Sequence, residues 1–235
     1  RLFSANAELL IDHAWGYEPC TMEAIKSYKP ASSSICLGQE LHSPYSYEKA
    51  RLAVREMADS LSMDLMSKGL VCACYVLTIG YDVENLATPE KRIGYQGEIV
   101  VDAYGKELPK PAHGTLNLNT LMALSGAVMN AVTSLFERIT DKRLLVRRLN
   151  LTAAKVLPEN AIPQSAPKQL SLLSPAAQKG KDEQQPEREK LEKKRQQVLL
   201  DIRQRYGKNS ILRGMNLEEG ATTPVRNALI GGPKA

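Results

Sequence analysis

Between Ser46 and Lys68 the apolar positions recur three and four apart, so that Val54, Met57, Ala58, Leu61 and Leu65 share one side of a helix. Ser46 stands where an N-cap belongs, and Gly69 stands where a helix ends. The period then drops to two. Residues 70–82, LVCACYVLTIGYD, are rich in β-branched and aromatic side chains and predict a strand in which Cys72 and Cys74 point to the same face. Residues 114–120, GTLNLNT, alternate leucines with Thr115, Asn117 and Asn119 and predict a second strand. Helical spacing returns from Leu121 to Ile139, with Leu124, Val128, Val132, Leu135 and Ile139 as the apolar stripe. SICLGQEL (34–41) and LLVRRLNLTAAKV (144–156) complete the strands. Residues 83–111 read as irregular and polar, with a hairpin inside GEIVVDAYGKE. The order β-α-β-β-α-β predicts an α+β domain, a four-stranded antiparallel sheet with both helices on one face. The other face is left to bind something.

The flanks have a different character. Residues 5–14 predict a short helix, ended by Gly16 and Pro19 and too short to fold alone. It looks like the last piece of a domain lying upstream, and a first residue Arg1 suggests a fragment, a processed chain or a trimmed one. KSYKPASSS (26–34) has linker composition. Beyond Leu157, Pro, Gln, Ser and Lys dominate to about Pro186, a composition that reads as disordered. A charged helix is predicted from Glu187 to Tyr206, with Leu191, Val198, Leu199, Ile202 and Tyr206 as a narrow apolar stripe. The residues after it show no strong periodicity. The expected division is therefore 1–30, 31–157, 158–186 and 187–235.

Charge sharpens the search for chemistry. Residues 158–235 carry 14 basic against 9 acidic side chains, while the earlier parts are nearly balanced, so the net charge of +5 comes from the tail. A basic tail suits acidic partners such as nucleic acid. No P-loop, G-x-S-x-G or H-E-x-x-H pattern is present. The four cysteines form no C-x-x-C pair and read as residues of a reducing compartment, without a zinc site. With no leader pattern and no apolar run long enough to span a bilayer, a cytoplasmic chain without membrane contact is expected. On its residues, the chain reads as a binding module. Arg147 and Arg148 lie in an otherwise neutral strand, where one should look out from the open face and the other lie at an edge or pair with a carboxylate. KPAHGT (110–115) offers Lys110, His113, Thr115 and an unshielded backbone N–H at Gly114, groups that suit phosphate oxygens.

Several stretches resemble one family. RLFSANAELLIDHAWGYEPC is similar to the end of the thumb domain of Y-family translesion DNA polymerases, and SSSICLGQEL to the linker entering their little finger, an extra DNA-gripping domain. YVLTIGYDVENL, KPAHGTLNL, LLVRRLNLTA and GMNLEEGATT resemble the Gram-positive branch related to UmuC and DinB proteins. The resemblance implies a little-finger domain lying in the major groove of double-stranded primer–template DNA and touching its phosphates. By position, the implied contacts are Ser33, Ser34 and Ile35, then Lys110, His113 and Thr115, then Arg147 and Arg148. It implies that the catalytic palm, with its Mg²⁺-binding carboxylates, lies upstream, so that this chain alone has no cofactor and no catalytic residue. QLSLL (Gln169, Leu170, Ser171, Leu172, Leu173) is similar to the pentapeptide by which bacterial polymerases bind the sliding clamp, with Leu173 where phenylalanine is common. The expected function is damaged-DNA binding and clamp recruitment in translesion synthesis, DNA repair and the SOS response, by a monomer. The alternatives are a non-catalytic protein that occupies the clamp, and an RNA-binding module, for which the exposed aromatic pairs that stack bases are missing.

Overall fold

The computed structural model describes residues 7–28, 33–161 and 185–228. The chain forms two compact units, Arg1–Ser32 and Ser33–Ala235. In the first, helix α1 spans Ala7–Ala14 and helix α2 spans Met22–Ser27, and neither buries a residue. The linker composition from Lys26 onward gave no sign of α2. Its start is set by Thr21, whose hydroxyl accepts the Ala24 N–H at 3.1 Å.

The second unit is built on four long strands: β1 (Ser34–Tyr45), β2 (Leu70–Tyr81), β5 (Ala112–Met122) and β6 (Val146–Ala154). They lie in the order β1-β6-β2-β5, and all neighbours are antiparallel. Helix α3 (Tyr47–Ser67) joins β1 to β2, and helix α5 (Ser125–Ile139) joins β5 to β6. Each connection skips one strand, which places both helices on the same face. Val54, Met57, Ala58, Leu61 and Leu65 of α3 and Val128, Val132 and Leu135 of α5 are buried against Leu77, Ile79, Leu149 and Leu151.

Four expectations need correction. The sheet has five strands rather than four, because β7 (Leu157–Pro158) also pairs with β2. It keeps the register of β6, with Leu70 opposite Pro158 as Cys74 is opposite Ala154. The interruption is Lys155, which takes a left-handed φ of 56°. Residues 83–111 are less irregular than they read. They hold a 3₁₀ turn (Val83–Leu86), helix α4 (Pro89–Gly94) and the expected hairpin, β3 (Ile99–Val101) with β4 (Glu107–Pro109). Cys72 and Cys74 do not share a face, because an irregularity separates them: Cys72 is in the core and Cys74 is half-buried. Ser46 occupies the N-cap position of α3, but its side chain makes no capping bond.

The largest departure is at the C-terminal end. Helix α6 (Gln185–Tyr206), a 3₁₀ turn (Gly214–Leu217) and helix α7 (Thr223–Ala228) belong to the second unit, although the sequence after Tyr206 shows no strong periodicity. Nor does α6 dock through the whole of its apolar stripe: Leu199 and Ile202 are half-buried, but Leu191, Val198 and Tyr206 stay exposed while Gln196 is buried. The reason lies in α5, whose N-cap position is Leu124, a residue with no polar side chain to offer. The Ser125 N–H donates to Gln196 Oε1 at 3.2 Å and the Gly126 N–H to Glu192 Oε1 at 2.7 Å, while Gln196 Nε2 donates to Ala123 O at 2.9 Å. One helix thus caps another.

Candidate nucleic-acid interface

The face of the sheet away from α3 and α5 is a grid whose rows can be read from the register. Ser34, Ala154, Cys74 and Asn117 form one row, and Cys36, Thr152, Val76 and Thr115 the next. Gly38, Asn150, Thr78 and His113 form the third, and Glu40, Arg148 and Gly80 the fourth. The floor is therefore small and neutral, with its charge at one end.

Two glycines shape that end. A Cβ at Gly38 would stand 2.7 Å from Asn150 Oδ1, and one at Gly80 would stand 3.0 Å from Arg148 Cβ. Asn150 and Arg148 therefore lie across the glycines of the neighbouring strands. The register slips between Gly80 and Tyr81 opposite β6, which makes Arg147 the extra residue of a bulge. The bulge explains how Val146 and Leu149 can both be buried while Arg148 faces outward.

The two arginines divide as their positions predict. The Arg148 side chain is 65% exposed, with Nη2 at 3.7 Å from Glu40 Oε2. Arg147, 36% exposed, donates to His42 O at 3.1 Å and lies 3.9 Å from both Glu40 and Asp82. The ion-pair distances to Glu40 are long and leave both guanidinium groups able to take a second anion. His113 is exposed on the edge strand, with its Nδ1 3.0 Å from Thr78 Oγ1. Thr115 and Ser34 are exposed on the same face, and Ser33 is exposed just before β1, its carbonyl accepting the Val156 N–H at 2.8 Å.

Two candidates stand elsewhere. The Ile35 side chain packs against the core, so only its backbone borders the open side. Lys110 belongs to the hairpin end, where its Nζ is 2.7 Å from Glu98 Oε2. Gln169, Leu170, Ser171, Leu172 and Leu173 lie outside the described residues. Sequence reasoning missed Asn150, Thr152 and Thr78, although the alternation in LNLTA (149–153) already places Asn150 and Thr152 together opposite the leucines. Among the described residues, no group of three or more His, Cys, Asp or Glu side chains is placed to hold a metal ion, and no helix is long and apolar enough to cross a membrane.

A split βαβ sheet with helices on one face and an open, arginine-ended grid on the other defines a class of α+β domains with one uncovered sheet face. Residues 31–172 match the family model described as the impB/mucB/samB family C-terminal domain. The match takes in more than half of the chain, and the chain belongs to that family, carrying the C-terminal part of a Y-family polymerase. None of the curated proteins matches it. Among solved structures it is similar to one described as a Dbh ternary complex with partially disordered substrates, at 13% identity and a TM-score of 0.29. That similarity covers 64% of this chain, which spans 35% of the length of that one.

Proposed function

We propose that this chain grips duplex DNA and recruits the sliding clamp as the C-terminal region of a translesion polymerase of the Gram-positive branch, acting in lesion bypass during cytoplasmic DNA repair. The observation that carries the reading is the open grid, a small, neutral floor ending in Arg148 and Arg147, with Glu40 between them, and with hydroxyl, amide and imidazole groups along its rows. Such a surface can approach a phosphate backbone closely and hold it by charge at one end and by neutral donors along the strands. Contacts of this kind position a duplex without reading its sequence, as synthesis past damage requires. Nucleotidyl transfer and its Mg²⁺ belong to a palm domain of the whole protein, and no step of that reaction is assigned to these residues. QLSLL supplies the second half of the reading. A short segment with three leucines can set them in an apolar pocket of a partner, and attachment to the clamp raises the local concentration of the sheet near DNA.

The test is duplex binding by the chain against a variant with Arg147→Ala and Arg148→Ala. Weaker binding by a similar factor on unrelated sequences is expected, with a salt dependence shallower by about 0.9 for each phosphate that the variant no longer neutralises. Unchanged affinity at moderate salt would remove the proposed face.

A further inference from the structure

Helix α3 is buried on two sides. Its sheet-facing stripe is apolar, but Leu52, Glu56, Asp59 and Met63, at i, i+4, i+7 and i+11, form a second buried stripe on another side. Its middle is a pair of carboxylates, 1% and 4% exposed. Burial of that kind requires partners, and all but one of the partners come from the C-terminal segment.

Glu56 receives four donors. Asn216 Nδ2 reaches Oε1 at 2.7 Å and the Thr223 N–H reaches it at 3.3 Å. The Thr222 N–H and hydroxyl reach Oε2 at 2.6 and 3.0 Å. Asp59 Oδ1 is 2.9 Å from Arg213 Nη2 and accepts the Ser125 hydroxyl, to which Arg213 also donates at 3.0 Å. Beyond these, Arg226 donates to Ser60 Oγ at 2.8 Å and to Gln39 Oε1 at 3.3 Å, and Lys49 pairs with Glu219 at 2.6 Å. The segment thus presents donors to Glu56, Asp59 and Ser60 of α3, and an acceptor, Glu219, to its Lys49.

The composition of this seam matters more than its tightness. The sheet side of α3 could not face water without exposing its whole apolar stripe. The other side could: with the segment lifted away, Glu56 and Asp59 become ordinary solvated carboxylates on a helix surface, and Arg213, Asn216, Thr222 and Arg226 are equally soluble. A polar centre with a few apolar neighbours is the character of a non-obligate interface. We infer that this side of α3 is a separable receptor for the segment Gly207–Ala228, a clasp recognised through Glu56 and Asp59 and able to leave and return without unfolding the sheet.

The experiment keeps the full chain. A specific protease site is placed directly after Tyr206, so that α6 stays with the sheet it caps, the protein is folded and cut, and the two pieces are followed by gel filtration and circular dichroism. The pieces are expected to co-elute, and the circular dichroism of the sheet is expected to persist. Arg213→Ala with Asn216→Ala, which leaves α3 untouched, should weaken their association at least about tenfold, as loss of charge-assisted hydrogen bonds requires. Glu56→Gln with Asp59→Asn, which keeps the shape of the receptor, should do the same. Pieces that part at once in the unmutated chain would show that no receptor exists. Pieces that stay equally associated in both variants would show that recognition does not run through these groups. Loss of the sheet signal when the C-terminal piece is released would make the segment an inseparable part of the fold and overturn the inference.

Discussion

Asn150 lies across Gly38, its Oδ1 only 2.7 Å from where a Cβ on that residue would stand. The obstruction is the end of a side chain rather than backbone, so Gly38→Ala should leave the fold nearly intact, within about 0.5 kcal/mol, while turning the amide away from the open face. Thermal melts with unchanged midpoints alongside duplex binding weakened several-fold are expected. Unaltered duplex affinity would take Asn150 out of the interface.

Glu40 sits between the two arginines, 3.7 Å from Arg148 and 3.9 Å from Arg147. It holds both guanidinium groups loosely and opposes any phosphate that approaches them. Glu40→Gln should therefore tighten duplex binding, by up to about fivefold at low salt, the scale of an exposed ion pair. The gain should fade as salt rises. Weaker binding by this variant would show that Glu40 orients the arginines rather than competing for them.

The cysteines provide a footprint. Cys36 stands exposed in the second row of the open face and Cys20 is exposed in the other unit, whereas Cys72 is buried and its thiol is pushed up by that burial. A thiol reagent near neutral pH should modify Cys20 and Cys36 readily and Cys72 slowly. Saturating duplex should slow Cys36 and spare Cys20. Equal rates at Cys36 with and without DNA would contradict the proposed orientation.

Asn85 ties the loop after β2 to the start of β6. Its amide nitrogen donates to Asp82 O and Leu145 O, both at 2.8 Å, and its Oδ1 accepts the Leu145 N–H at 2.8 Å. Because Asn85 is buried, Asn85→Ala leaves the Leu145 N–H without a partner, while Asp82 O keeps the N–H of residue 85 at 3.3 Å and Leu145 O keeps the Asp82 N–H at 2.9 Å; the change should cost about 2 kcal/mol, or a midpoint roughly 4–8 °C lower. Calorimetry measures this directly.

For the clamp, the informative variant is Gln169→Ala, Leu172→Ala and Leu173→Ala together. Loss of binding to a bacterial sliding clamp with unchanged duplex affinity is expected, and equal clamp binding would remove the recruitment half of the proposed function. Leu173→Phe should bind more tightly, since an aromatic ring buries more apolar area in the same pocket.

What was legible in the sequence follows from how local the cause is. The buried stripe of α3 and the alternation in β2 and β5 are written in neighbouring residues, and the observed elements lie within a few positions of those expected. That one of Arg147 and Arg148 looks out from the open face followed from period two. The bulge that keeps Arg147 out of the core and puts Val146 into it did not, because a bulge depends on the register of strands distant in sequence. Residues 207–228 were illegible for a related reason. Their hydrogen bonds run to Glu56, Asp59 and Ser125, more than 80 positions away, so no periodicity marks them. Glu192 and Gln196 looked like an ordinary solvated helix face until α5 proved to have a leucine where its cap belongs.

The capping of α5 by α6 has a mechanical consequence. Lys193 of α6 also pairs with Glu159, just beyond β7. The helix therefore holds the second unit at two separate places, the start of α5 and the end of the sheet. A pull on α6 is shared between a neutral cap and an ion pair, and only the ion pair yields to salt.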